Sequence, residues 1–274
     1  MRMTFDKAEC QNLKHALAKE WLETNGLGGF ASSTIIGANT RRQHGLLVTA
    51  LKPPVERYVL LSKCEERVVV GDQEFHLCTN LYPGTVFPHG FNIQTEFRLR
   101  PWPTFRYANR DFEIEKSVLL VHGENTVVLG YRNLHPQGTL ELKLRPLFAF
   151  REYSALTHRN NTVNTSVERG TGVIEVQPYA KLPRLYFYAK PDAVETRFDW
   201  YYKFTYPTEQ ELGLEFEEDL FTLFEMTLRI PGGETAYIVV TTEKKEQVSA
   251  AVLVARERLW RKQFDLLQYI ILFY

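Results

Sequence analysis

The stretch Thr139-Leu140-Glu141-Leu142-Lys143-Leu144-Arg145-Pro146-Leu147 decides the fold class. Its leucines at 140, 142 and 144 face one way, and Glu141, Lys143 and Arg145 face the other. Such period-two alternation marks a strand with one face in a core and one in water. The signature repeats upstream. Val55–Leu61 and Glu65–Val70 are rich in β-branched residues, and Gly71-Asp72-Gln73 separates the latter from Glu74–Cys78 as a hairpin loop would. In Asn92–Leu99, Ile93, Thr95, Phe97 and Leu99 oppose Gln94, Glu96 and Arg98. Phe112–Leu120 and Asn125–Arg132 follow. Downstream come Gly172–Val176, Leu185–Tyr188 and Leu220–Ile230, and Pro231-Gly232-Gly233 turns the chain into Thr235–Thr241.

Strands therefore recur about every ten residues, with turn residues between them. No helical pattern alternates with them, so the expectation is two wide, packed antiparallel sheets and not a parallel βαβ sheet. The exception is Glu246–Leu267, which lacks Gly and Pro. There Val248, Ala251, Val252, Ala255, Leu259 and Leu266 fall near helical spacing, and Thr241 or Thr242 can cap the start. The expected fold is all-β with one C-terminal helix.

Composition narrows the function classes. The 274 residues carry 33 basic and 33 acidic side chains, so the net charge is zero. That excludes a nucleic-acid protein held mainly by a basic field. With 44% hydrophobic residues, a packed core is available and disorder is excluded. Cys10, Cys64 and Cys78 include no Cys-x-x-Cys pair, and their odd number suits a reducing cytoplasm better than secretion. The N-terminus has no apolar core of signal-peptide length. No apolar run approaches the roughly 20 residues of a membrane span, and the closing Tyr269–Tyr274 is far too short. No spacing among the seven histidines matches a metal motif, and no Gly-x-Ser-x-Gly elbow occurs. The expectation is therefore no metal, no cofactor, no nucleic acid and no membrane.

Four groups could carry chemistry. Asn25-Gly26-Leu27-Gly28-Gly29-Phe30 is rich in glycine, but a phosphate cradle needs a helix after it and Ala31–Ile36 is β-like. A tight turn using positive φ is the plainer reading. Arg41-Arg42-Gln43-His44 is either an anion- or hydroxyl-binding cluster or a solvated turn. Glu65-Glu66 and the group Glu215, Glu217, Glu218, Asp219 offer carboxylates. Glycoside hydrolysis needs two carboxyls facing across roughly 5–10 Å, and neighbours on a strand point to opposite sides. Charged turns are the alternative. Finally, Asp199-Trp200-Tyr201-Tyr202 could present rings that stack on sugars, or could be core. Alternation on a strand should expose at least one of the three rings.

Several strings together resemble a known family. They are Glu20-Trp21-Leu22-Glu23-Thr24-Asn25-Gly26-Leu27-Gly28-Gly29-Phe30-Ala31-Ser32 and Asn39-Thr40-Arg41-Arg42-Gln43-His44-Gly45-Leu46-Leu47-Val48. His122-Gly123-Glu124-Asn125-Thr126-Val127, Leu144-Arg145-Pro146-Leu147 and Phe150-Arg151-Glu152-Tyr153 follow in order, then Trp200-Tyr201 and Glu217-Glu218-Asp219-Leu220-Phe221. Over residues 20–260 the chain resembles the N-terminal domain of bacterial and archaeal glycogen debranching enzymes of the amylo-α-1,6-glucosidase type. The resemblance implies a large antiparallel β-super-sandwich of the glucoamylase-N-domain or mutarotase-like kind over residues 1–243. It also implies that residues 244–274 lead toward an (α/α)6-barrel, which holds the catalytic acid and base and is not in this chain. The implied role is binding or positioning α-glucan for α-1,6-glucosidic hydrolysis, with the barrel as partner in cis or from a neighbouring gene. The alternatives are a sugar-active enzyme on the sandwich itself and a module that only docks the barrel. No catalytic residue is assigned. The candidates for substrate binding or for the domain interface are Arg41, Arg42, His44, Trp200, Tyr201, Glu217, Glu218 and Asp219.

Overall fold

The computed structural model describes residues 4–271, with side chains as far as residue 263. Two large antiparallel sheets dominate. In spatial order the nine-stranded sheet is β1 (Thr4–Phe5), β9 (Gln94–Arg98), β10 (Thr104–Ala108), β11 (Glu113–Leu120), β12 (Thr126–Asn133), β19 (Thr235–Thr241), β16 (Leu185–Tyr188), β15 (Val173–Val176) and β14 (Val167–Gly170). The eight-stranded sheet runs β17 (Ala193–Thr205), β18 (Glu217–Pro231), β13 (Thr139–Glu152), β5 (Val55–Val70), β4 (Gly45–Lys52), β3 (Phe30–Thr34) and β2 (Glu20–Thr24), with β6 (Gln73–His76) also paired to β5. A hairpin of β7 (Thr79–Tyr82) and β8 (Thr85–His89) stands apart. Short helices α1 (Lys7–Cys10), α2 (Leu13–Leu17) and α3 (Pro207–Glu211) punctuate the chain, and α4 (Ala250–Ile271) ends it.

Thr139–Leu147 lies in β13, at the centre of the second sheet. Leu142 of β13 pairs with Val68 on one side and Leu228 on the other. These three and Leu140, Leu144 and Met226 point into the main core between the sheets, where they meet Trp21, Phe97, Phe105, Tyr131, Phe187 and Phe224. Each fully buried side chain of this size contributes about 1.5–3 kcal/mol. Alternation then sends Glu65, Arg67, Lys143, Arg145 and Glu225 to the opposite, outer face.

Two smaller apolar clusters cover the outer faces. On the eight-stranded sheet, Val48, Val59, Leu147, Phe204 and Leu220 pack with Tyr82 and Tyr201. On the nine-stranded sheet, Trp102, Leu119, Val121, Val128 and Val239 take Leu253 of α4. Helix α4 is also fastened by polar contacts. Arg261 pairs with Glu23 of β2, and Glu257 accepts a hydrogen bond from the His122 amide at 2.9 Å. Trp260 stacks on the His122 ring with centroids 4.1 Å apart.

One ion pair crosses the core itself. Lys116 of β11 lies 2.5 Å from Glu66 of β5, and the Tyr131 hydroxyl donates to the same carboxylate at 2.8 Å. Burial works against the Lys116 ammonium, but the charge and hydrogen bond of Glu66 together with the nearby Cys64 and Cys78 outweigh it and raise the lysine's pKa.

The sheets agree with the sequence expectation, but several boundaries differ. Val55–Val70 is one 16-residue strand, where two were expected. The stretch Asn92–Leu99 opens with a 3-10 turn over Gly90–Ile93, and β9 starts at Gln94. A register shift at Arg106/Tyr107 of the partner strand turns Gln94 inward, so it is fully buried and its amide donates to the Ile35 carbonyl at 2.8 Å. Strand β17 is absent from the sequence expectation, although Val194, Thr196, Phe198, Trp200, Tyr202 and Phe204 alternate with mostly charged residues. Register shifts at Thr196/Asp199 and Tyr201/Phe204 scatter that face, so Trp200 and Phe204 are buried and Phe198 and Tyr202 are exposed. The final helix begins and ends four residues later than Glu246–Leu267. Of the closing Tyr269–Tyr274, the last three residues lie outside the described ones.

Candidate functional site

Segments far apart in sequence meet in space in two groups. The first joins the glycine-rich loop to His122–Asn125. The Asn25 amide donates to the Glu124 carbonyl at 3.0 Å and to Asn125 Oδ1 at 3.1 Å, while its carbonyl accepts from the Gly123 amide at 2.7 Å. Gly28 has φ +92°, and a Cβ there would lie 2.5 Å from the Pro54 carbonyl oxygen. The loop is therefore a tight, packed turn.

The second group gathers the Arg41–His44 turn, β13, α3 and the start of β18. Arg42 pairs with Glu209 at 2.9 Å and donates to the carbonyls of Ser154 (2.7 Å) and Glu215 (2.9 Å). Its own carbonyl accepts from Arg151 Nη2 at 2.7 Å. Arg151 grips Glu218 with two prongs, Nε–Oε1 at 2.5 Å and Nη2–Oε2 at 2.9 Å. The Thr157 amide at 2.9 Å and the Tyr206 hydroxyl also donate to Glu218. His44 is 2% exposed, and its Nδ1 accepts from the Thr40 amide at 3.1 Å. Burial pushes its pKa down to about 4, with Glu20 raising it and Arg41 lowering it less strongly.

Arg42, His44, Trp200 and Glu218 are thus committed inside the fold, and Trp200 packs on Phe221 with ring centroids 5.1 Å apart. Arg41, paired with Glu20 at 2.7 Å, reaches the surface with 41% of its side chain exposed. Glu217 lies 3.4 Å from Lys203. Asp219 is half-buried and accepts backbone hydrogen bonds from Arg159 and Lys203, both at 2.9 Å. Tyr201 is half-buried on the outer face of the eight-stranded sheet. The exposed rings of β17 are Phe198 (44%) and Tyr202 (50%).

Around Tyr201 the outer face forms a polar shelf. Arg145 donates to the Tyr201 hydroxyl, sits 5.7 Å from its ring centroid and bonds Glu225 at 2.6 Å. Arg67 grips Glu225 at 2.8 and 2.7 Å and reaches Glu74 at 2.8 Å. Arg145 Nε is buried with no hydrogen-bond partner among the described residues. Beside it lie Glu65, His76 and Cys78, and the exposed Phe87 has its ring 6.1 Å from that of His76. Of the expected candidates only Tyr201 belongs to this shelf. Alternation in Thr139–Leu147 already put Arg145 on the water face. The rest required the register between strands, which no single stretch carries.

Among the described residues no helix is long and apolar enough to cross a membrane. No curated protein matches the chain. Among solved structures it is similar to heparan sulfate lyase HepC from Pedobacter heparinus, at 10% identity and TM-score 0.30 over 77% of this chain and 25% of that one. A polysaccharide lyase gives 9% identity and TM-score 0.31, over 81% of this chain and 31% of the other. The chain thus spans between a quarter and a third of their length. The family profile described as "Glycogen debranching enzyme N terminal" matches residues 19–237. That span takes in both groups of segments and most of the two sheets, and the chain belongs to the glycogen debranching enzyme N-terminal family.

Proposed function

We propose that this chain is the glucan-binding part of a glycogen debranching system. It positions α-glucan for α-1,6-glucosidic hydrolysis by an (α/α)6 domain, in the same polypeptide or in a neighbouring one. The observation that carries this reading is the family match over residues 19–237. The geometry suggests where the glucan lies. Tyr202 and Phe198 on edge strand β17 offer flat apolar faces, and the Arg145–Tyr201 pair of the outer face offers polar groups for hydroxyls. Hydrolysis is assigned elsewhere. Glu65 and His76 do meet on the outer face, but their ligand atoms lie within 4.8 Å of each other and of the Cys78 sulfur. They do not face one another across a gap that a sugar could occupy.

Native electrophoresis of the purified chain in gels with and without glycogen tests the proposal. Retardation by glycogen is expected, with less retardation for Tyr202→Ala. Equal mobility of the unaltered chain in both gels overturns it.

A docking role is favoured by a second observation. Val252 and Leu259 of α4 are each 64% exposed and stand seven residues apart, on one side of the helix. A cleft of about 320 Å³ between β2 and α4 is lined by Leu22, Thr24, Pro101 and Trp260. The (α/α)6 domain is the occupant this reading names. Co-elution with a separately expressed (α/α)6 domain, lost in Val252→Asp/Leu259→Asp, would support it, and no co-elution of the unaltered chain would end it.

A further inference from the structure

Glu65, His76 and Cys78 come together although their spacing in sequence matches no metal motif. Arg67 pairs with His76, and continuing that antiparallel register sets Cys78 opposite Glu65, with the Leu77 amide bonded to the Glu66 carbonyl at 3.0 Å. His76 and Cys78 are two residues apart on extended chain, so their side chains leave on the same face, toward Glu65. A carboxylate oxygen, a ring nitrogen and the sulfur all lie within 4.8 Å of one another. Bonds of about 2.0–2.3 Å to a tetrahedral ion put its ligands roughly 3.5 Å apart, so each pair needs to shift by only about 1 Å.

Two further details point to a ligand. His76 Nδ1 is buried and has no hydrogen-bond partner among the described residues. A buried ring nitrogen without a partner is costly unless something fills the space next to it. The carboxylate is also oriented from behind. Asn80 Nδ2 donates to Glu65 Oε1 at 2.8 Å, which turns Oε2 toward the Cys78 sulfur at 2.9 Å. Outer partners of this kind fix the direction of a metal ligand. The same contact argues against a thiol nucleophile activated by His76, because the Cys78 S–H is directed at Glu65.

We propose that Glu65, His76 and Cys78 bind a zinc-type divalent ion. Sulfur, imidazole nitrogen and carboxylate oxygen make a borderline-soft set, which suits zinc and cobalt and disfavours calcium and magnesium. Glu65 and His76 are only half-buried, so a fourth position is open to water. The entering ion displaces the thiol proton to solvent. Thiolate and carboxylate then balance its two charges, and Lys63 is kept out of the ligand set by its bonds to the Thr79 carbonyl (2.9 Å) and to Asn80 Oδ1.

The test uses the full chain, stripped with a chelator and dialysed, then titrated separately with zinc chloride and cobalt chloride. The expected result is one ion per chain, with a cobalt spectrum showing tetrahedral visible bands and a thiolate charge-transfer band. Cys78→Ser should abolish the charge-transfer band, and Cys64→Ala should keep it. Asn80→Ala should weaken zinc about 10–100-fold while leaving the stoichiometry at one. If Cys78→Ser fails to fold, His76→Gln carries the same test, since it changes a half-exposed side chain. No stoichiometric uptake by the unaltered chain overturns the proposal. So does a cobalt spectrum without the thiolate band, or one that survives in both Cys78→Ser and His76→Gln.

Discussion

Arg151 and Glu218 face each other as a two-pronged ion pair with 6% and 0% of their side chains exposed. Through Arg151 Nη2 the pair also holds the Arg42 carbonyl, so it pins the Arg41–His44 turn to strands β13 and β18. Removing one partner of such a pair leaves a buried charge without compensation. Glu218→Gln should therefore cost about 3–5 kcal/mol in urea unfolding. Glu218→Gln/Arg151→Met should recover a large part of that loss. A single-variant loss under about 1 kcal/mol would mean that water reaches the pair and that the turn is held by other contacts.

His44 should make the fold acid-sensitive over a defined window. Its pKa in the folded chain lies near 4, against an ordinary value of 6.5, because burial disfavours the imidazolium. Below the ordinary value the unfolded chain takes up a proton that the folded chain refuses. The stabilisation is therefore complete above about pH 6.5 and falls away toward pH 4, by about 3 kcal/mol in all. The difference in stability between the unaltered chain and His44→Asn, followed from pH 7 to pH 4, isolates this effect. A constant difference would contradict it.

The aromatic run should divide into packing and contact. Trp200 is core, so Trp200→Ala should destabilise by about 3–5 kcal/mol with glycogen retention per folded molecule unchanged. Tyr202 is half exposed, so Tyr202→Ala should keep stability within about 0.5 kcal/mol and lower glycogen retention. Loss of retention confined to Trp200→Ala would reverse this assignment.

Gly28 combines a positive φ with contact against the Pro54 backbone. Gly28→Ala should cost at least about 2 kcal/mol, read by chemical unfolding, since strain and a backbone clash both oppose the methyl group. An unchanged midpoint would show that the turn relaxes at no cost.

The architecture was readable where burial is one-sided. Leu140, Leu142 and Leu144 have only one way to face, and that placed β13 correctly. Where a bulge intervenes, alternation no longer tells which side chains are buried. Strand β17 alternates in sequence, but its two bulges send Trp200 and Phe204 into different clusters, and Gln94 was placed on the wrong face. The site was readable only in part. Arg42 and Glu218 were singled out for their charge, and they do meet in one network, but as buried cement. Whether a charged side chain ends in water or against a partner depends on residues over a hundred positions away, as with Arg42 and Glu209. The cluster of Glu65, His76 and Cys78 needed the β5–β6 register, which spacing alone does not express.

Strand β17 ends the eight-stranded sheet, and a free strand edge is a template on which a second molecule can add. This edge is poorly suited to that. Two register shifts bend it, Lys203 takes φ +61°, and Glu195, Arg197, Asp199 and Lys203 charge it along its length. A flat incoming strand would meet a kink before it had formed more than a few hydrogen bonds. The irregularity of β17 thus protects the sheet from self-association while the rings of Phe198 and Tyr202 stay exposed.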